Sequence, residues 1–183
     1  MSDIEAYLAK ISRALKPTTE ETDADAAVAL LLRAREHGFE VLFVRRVENP
    51  KDFWSGQVAL PGGRREITDG SLEQTATRET FEEIGIDLTK VGRFLGALKV
   101  FTSILRRVRV QPFVFFLDHE VSIKLNSGEL EEFVWIDLGR LAKNRGRTKF
   151  KFREVPSFNV NEYRIWGLTY RVLDEFLALL KSP

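Results

Sequence analysis

The chain has 183 residues, the length of one well-cored domain. Its 28 basic and 27 acidic side chains nearly cancel, which argues against nucleic acid or an anionic membrane surface as a partner recruited by overall charge. Without cysteine there is no disulfide, thiolate metal site or thiol nucleophile. No apolar run, residues 113–117 included, is nearly long enough to span a bilayer, and Asp3 and Glu5 interrupt any leader-like start. The expectation is a soluble, cytoplasmic protein without a membrane partner.

In chain order, residues 2–16 read as an amphipathic helix. Ser2 and Glu5 form a capping box, and Ile4, Leu8, Ile11 and Leu15 make the apolar stripe. Such a stripe must pack on the domain or on a partner subunit, so a homodimer stays open. Pro17 and the polar run to Asp25 read as a linker, giving an N-terminal unit 1–24 and a main domain 25–183. Residues 26–33 and 40–46 are strands joined at His37-Gly38. His37 is a turn residue and His119 resembles it, so a histidine-based zinc site or triad has too few members. The loop 47–57 holds Phe53 and Trp54, aromatic rings suited either to stacking on a base or to pinning the loop. Residues 58–60 form a short strand leading into Pro61-Gly62-Gly63.

The next helix is announced on both sides. Ser71 and Gln74 form a capping box, and Gly85 is a C-terminal stop. Its centre reads Arg78-Glu79-Thr80-Phe81-Glu82-Glu83. Helical periodicity puts Glu79, Glu82 and Glu83 on one side of a single turn. Like charges at these spacings cost about 0.2–0.5 kcal/mol per pair, and only Arg78 offers local relief. A divalent cation would remove the repulsion, and carboxylate oxygens are the donors that Mg²⁺ prefers. A solvated acidic face is the alternative, but the preceding glycines let backbone approach a ligand closely.

Strands follow at 94–101 and 108–117, a short one at 121–125 and another at 131–136. Residues 138–143 read as a short helix. Lys143 to Arg153 carries six basic side chains, with Arg140 just before, suited to an edge strand or to a rim that attracts phosphate. Residues 155–165 are extended, and 168–180 close the chain as an amphipathic helix. Strands broken by helices imply α/β class: a mixed β-sheet covered on both faces.

These residues resemble the signature of the Nudix hydrolases, Gly-x5-Glu-x7-Arg-Glu-u-x-Glu-Glu-x-Gly-u with u bulky and apolar. Gly63, Arg78, Glu79, Glu82, Glu83, Gly85 and Ile86 match. Asp69 stands for the mid-signature glutamate, one extra residue separates it from Arg78, and Thr80 takes the first u position. The resemblance implies a Nudix-type α/β/α sandwich and divalent-metal hydrolysis of a nucleoside diphosphate linked to a second moiety. It makes Glu79 and Glu83 ligands of Mg²⁺, or of Mn²⁺ in its place. Glu82 would ligate or hold a metal-bound water, and the Gly63 carbonyl would be a further ligand. Arg78 would orient a glutamate. The general base is Glu82 or Glu83 through a water, or a glutamate of a later loop, with Glu129 first and Glu132 second.

Residues 56–63, Thr77, residues 133–136 and residues 165–169 are similar to the coenzyme A pyrophosphatase branch. The serine and second arginine that this branch carries after its strand arginine are missing around Arg45 and Arg46. Coenzyme A or a derivative is the expected substrate. ADP-ribose, a nucleotide sugar or a nucleoside triphosphate is the alternative, and a Nudix-fold binding module without turnover is the third reading. Arg45, Arg46, Phe53 and Trp54 are the candidate substrate contacts.

Overall fold

Residues 26–32 are apolar at every position, a run that suits a strand covered on both faces. The computed structural model describes residues 3–17, 22–36, 38–48, 56–103 and 107–181. Ser2, His37, Phe53 and Trp54 lie outside the described residues. The chain opens with α1 (Asp3–Ala14), β1 (Ala26–Arg35), β2 (Gly38–Arg46), β3 (Val58–Ala59) and β4 (Gly62–Arg64). It continues with α2 (Leu72–Ile84), α3 (Leu88–Val91), β5 (Gly92–Ala97), β6 (Phe101–Ser103) and β7 (Val108–Leu117). Last come β8 (Leu130–Asp137), α4 (Leu138–Lys143), β9 (Arg145–Phe150), β10 (Arg153–Val160), β11 (Tyr163–Trp166) and α5 (Gly167–Lys181).

The long apolar run of β1 sits at the centre of a mixed, eight-stranded sheet. One edge of β1 pairs in parallel with β7, from Ala26 opposite Val110 to Arg33 opposite Leu117. Its other edge is shared. Leu32 to Arg35 pair with β2, while Ala26 to Val28 pair with β4. The strand β2 is shared in the same way, between β1 at one end and β3 at the other, with β8 along its far edge. The segment 58–64 is therefore a wedge between the diverging ends of β1 and β2. A second sheet, β11-β10-β9, lies apart from the first.

Alternation along the strands sends side chains to two cores. Leu30, Leu32, Val41, Phe43 and Val114 meet α1, α4, α5 and the second sheet, through Leu8, Leu141, Phe176 and Phe158. Ala29, Leu31, Leu42, Val44 and Phe113 meet α2 on the opposite face, through Leu72, Ala76 and Ile84. This is the α/β/α sandwich with a mixed β-sheet. None of the helices is long and apolar enough to cross a membrane among the described residues.

Several expectations are adjusted. The stretch 94–101 is two strands: β5 ends at Ala97 and β6 opens at Phe101, and within β5 the register on β7 shifts where Gly96 adopts φ 142. Residues 121–125 form no strand, yet Lys124 and Asn126 donate to the carbonyls of Ile84 and Glu83. The stretch 155–165 is a hairpin, with Asn161 left-handed at φ 52, a conformation that asparagine tolerates. Ile4 is 40% exposed, so the apolar stripe is Leu8 and Ile11 of α1, with Leu15 buried just past its end.

That helix is built into the fold. Leu8 and Ile11 are fully buried, Ser12 donates to the Leu95 carbonyl, and Lys16 bridges Ala97. Ile11→Ala should therefore lower unfolding stability by about 2–5 kcal/mol, the usual cost of such a cavity. Urea denaturation checks this; a change below ~0.5 kcal/mol would mean a helix that contributes nothing to the core.

Candidate active site

The inner stripe of α2, Leu72, Ala76, Thr80 and Ile84, is buried at four-residue spacing. Thr80 belongs there because its hydroxyl donates to the Ala76 carbonyl at 2.7 Å, leaving its methyl to pack. Ser71 caps the helix by accepting from the Gln74 N–H at 3.1 Å. Gln74 accepts in turn from the Gly70 N–H at 2.7 Å, one residue earlier than a capping box would have it. Gly85 ends the helix in the left-handed region at φ 72, donating to the Phe81 carbonyl.

A neighbouring stripe, Thr75, Glu79 and Glu83, faces the glycine wedge. Glu83 is only 5% exposed and accepts from the Gly62 N–H at 2.9 Å. A Cβ at position 63 would overlap the Glu79 carboxylate, so glycine there lets helix and strand touch. Burial pushes the Glu83 carboxyl up to about 7, against the hydrogen bond from Gly62, while the negative charges of Glu79 and Glu129 add to the rise. Burial likewise raises Glu79, with Arg78 opposing. Glu82 is exposed.

Arg78 uses all of its donors. Nε and one terminal nitrogen donate to both oxygens of Asp69, each at 3.0 Å. The same terminal nitrogen reaches the Arg64 carbonyl at 2.9 Å. The other donates to Glu79 and Glu82 at 3.1 Å each. Asp69 is buried and also accepts from the Glu66 N–H and the Thr75 hydroxyl. Chiefly through Arg78, its carboxyl is held well below the usual range, at about 2, and the Arg78 guanidinium is raised.

The remaining candidates divide. Glu129 lies exposed in the turn before β8, and its charge acts on both Glu79 and Glu83. The turn is tied in: Val47 donates to the Glu129 carbonyl, and Asn126 to that of Glu83. Glu132 is engaged elsewhere, taking Arg45 at 3.0 Å and the Tyr163 hydroxyl at 2.5 Å. Arg45 also meets Glu131 at 2.5 Å. Arg46, one residue along, acts on Glu83 and lines a cleft of about 790 Å³ together with Gly62, Gly63 and Arg64. Of the basic run, Lys151 and Arg153 line that cleft, as do Phe150 and Trp166. Gln57 was not among the expected contacts. Its side-chain amide nitrogen is buried and has no hydrogen-bond partner among the described residues, and Gln57 lines the same cleft; its place six residues before Gly63 was the only signal.

Among the described residues, no three histidine, cysteine, aspartate or glutamate side chains converge tightly enough to enclose a metal ion. Arg78 holds Glu79 and Glu82 on one nitrogen. The donor chemistry nonetheless fits a hard divalent cation. It is all oxygen, it includes a buried carboxylate, and Gly63 allows backbone beside Glu79.

Comparison with known proteins bears on the same segment. The profile of the NUDIX domain matches residues 23–156. An uncharacterized protein of Schizosaccharomyces pombe is 40% identical over 117 residues, covering 61% of this chain and 36% of that protein. The mitochondrial coenzyme A diphosphatase NUDT8 of Homo sapiens is 31% identical over 169 residues, covering 87% and 70%. The crystal structure of a NUDIX hydrolase from Alicyclobacillus acidocaldarius superimposes with a TM-score of 0.53 at 21% identity, covering 87% and 93%. The chain spans 36% and 62% of the length of two Schizosaccharomyces pombe relatives, the second a probable nudix hydrolase.

The Glu83 shift has a signed consequence. Its pKa in the fold, about 7, exceeds the ordinary 4.5, so the fold favours the neutral acid. The contribution of Glu83 to stability is greatest below about pH 4.5, falls as pH rises towards 7, and then levels off, with about 3 kcal/mol of it lost. In chelating buffer, Glu83→Gln should therefore raise the melting temperature at pH 8 and match the wild type at pH 4.5. Thermal melts across this range test it, and a variant less stable at pH 8 would contradict the burial argument.

Proposed function

Because the chain belongs to the NUDIX domain family, we propose that it hydrolyses the pyrophosphate bond of a nucleoside diphosphate joined to a second moiety. The observation that carries this reading is the buried Glu83, fastened to Gly62, which itself lines a large cleft together with Gly63. Glu79, Glu82 and Glu83, with the Gly63 carbonyl, are the residues that would hold Mg²⁺ or Mn²⁺. When bound, the ion neutralises phosphoryl charge and lowers the pKa of water.

The protein's own part is positioning. Arg78 sets the orientation of Glu79 and Glu82 by charge-assisted hydrogen bonds. The Gln57 amide, buried and without a partner among the described residues, offers a donor to a phosphate oxygen, and Arg46 adds positive charge on the same wall. Glu129 serves as general base from its loop, taking a proton from the attacking water. Glu132, already engaged by Arg45 and Tyr163, is the weaker candidate.

Coenzyme A or a derivative is the proposed substrate. Similarity to the human mitochondrial coenzyme A diphosphatase supports it, as do the cations along the cleft, which suit an additional phosphate. Without cysteine the chain also suits a reducing, cytoplasmic setting.

Glu79→Gln and Glu83→Gln should each lower turnover by at least about 10²-fold, the scale of lost transition-state electrostatics. Mg²⁺ should raise the melting temperature of the wild type more than that of Glu83→Gln. Normal turnover in both variants would remove the site assignment. For the substrate, the measurement is kcat/KM for coenzyme A, its 3′-dephospho form and ADP-ribose. A tenfold preference for coenzyme A over the dephospho form equals about 1.4 kcal/mol, within reach of one charge-assisted contact. Equal values would leave the pyrophosphatase reaction without the coenzyme A assignment.

A further inference from the structure

The glycine wedge that holds the carboxylate turn borders only part of the cleft, whose 790 Å³ falls in the range of roughly 300–1,000 Å³ typical of sites that enclose a whole small molecule. Much of the remainder is aliphatic. Ala26, Val108 and Val110 form a cluster separate from both cores, with Val28 and Leu168 half-buried against it. Strand pairing sets the direction of this floor. Arg64 stands opposite Ala26, and Ala26 opposite Val110, on adjacent strands. At ~4.8 Å per strand the row runs about 10 Å away from the glycine wedge.

The turn between β9 and β10 lines the same cleft with aromatic side chains. Phe150 packs on Trp166, ring centroids 4.1 Å apart, whereas Phe152 is fully exposed. A single exposed ring needs no explanation by itself. This one shares a cleft with an aliphatic floor, and Lys151 and Arg153 flank it.

Resting on the pyrophosphatase reading, we propose that the cleft selects its substrate by an apolar chain carried on the second phosphate of a nucleoside diphosphate. Val108, Val110 and Leu168 form the floor for that chain, and Phe152 closes over it. A sugar in the same place would set hydroxyls against aliphatic side chains that offer them no partner, which costs affinity. The chain lies along the floor and away from the reacting phosphorus, so its contacts act on binding and leave the chemical step alone.

The test uses the full chain with Mg²⁺ and ADP esterified on its terminal phosphate with ethyl, butyl or hexyl groups, beside ADP-ribose. KM should fall by up to about fourfold for each methylene that leaves water, on the order of 10² from ethyl to hexyl, with kcat nearly constant. Phe152→Ser, a change at an exposed position that spares the cores, should flatten this dependence. Phe152→Leu should restore most of it. Titration calorimetry of the same esters reads the chain-length dependence even if none is cleaved. A failure of hydrolysis across the whole series would then count against the pyrophosphatase reading alone. Affinity independent of chain length, or a dependence unchanged in Phe152→Ser, would overturn the present proposal while leaving that reading intact.

Discussion

One guanidinium holds the acidic turn together. Three glutamates within five residues, one of them buried, make a local excess of negative charge that helix geometry cannot disperse. Arg78 meets two of the three and is itself fixed by Asp69 and by the Arg64 carbonyl. Its planar fork is what makes this possible, because a lysine could not satisfy Asp69 bidentately and still reach two further carboxylates. The contact also spans the chain. It ties Asp69 in the loop after β4 and the Arg64 carbonyl to the acidic turn of α2.

The site depends equally on a sheet that opens. Where β1 and β2 diverge, the wedge 58–64 fills the gap and offers its backbone to α2. Gly62 donates to Glu83, while a side chain at Gly63 would displace Glu79. Both glycines also border the cleft. Carboxylates and cleft thus meet at a pair of residues with no side chains, which brings the space of the cleft close to charge.

Two adjacent arginines show how a strand sorts function. Arg45 and Arg46 follow one another on β2, so they leave the sheet in opposite directions. Arg45 meets Glu131 and Glu132, and Tyr163 completes that group from the second sheet. The Tyr163 hydroxyl, beside the Glu132 carboxylate, is pushed up to about 12. Arg46 turns to the cleft and to Glu83. One is an anchor between sheets and the other lines the cleft, although the two are the same residue type and adjacent in the chain.

What the sequence determined by itself was local. The caps Ser71 and Gly85, the side of α2 that bears Glu79, Glu82 and Glu83, and the strand 108–117 all follow from contacts within a few residues. The family signature is legible for the same reason, since its spacing is helical spacing. Tertiary structure decided the rest. Asp69 read as a departure from a pattern, and only the fold shows that its shorter side chain still clasps Arg78 across nine positions. Phe94 to Phe101 read as one strand, yet β5 stops at Ala97, where Lys16 bridges it, and β6 opens at Phe101; 155–165 read as one until β11 turned back on β10. The roles of Arg45, Glu132 and Gln57 depend on which face each strand presents and on partners far away in the chain. Residue spacing specifies which side chains share a face; what faces them is settled only when the sheet closes, because burial and pairing across it are long-range.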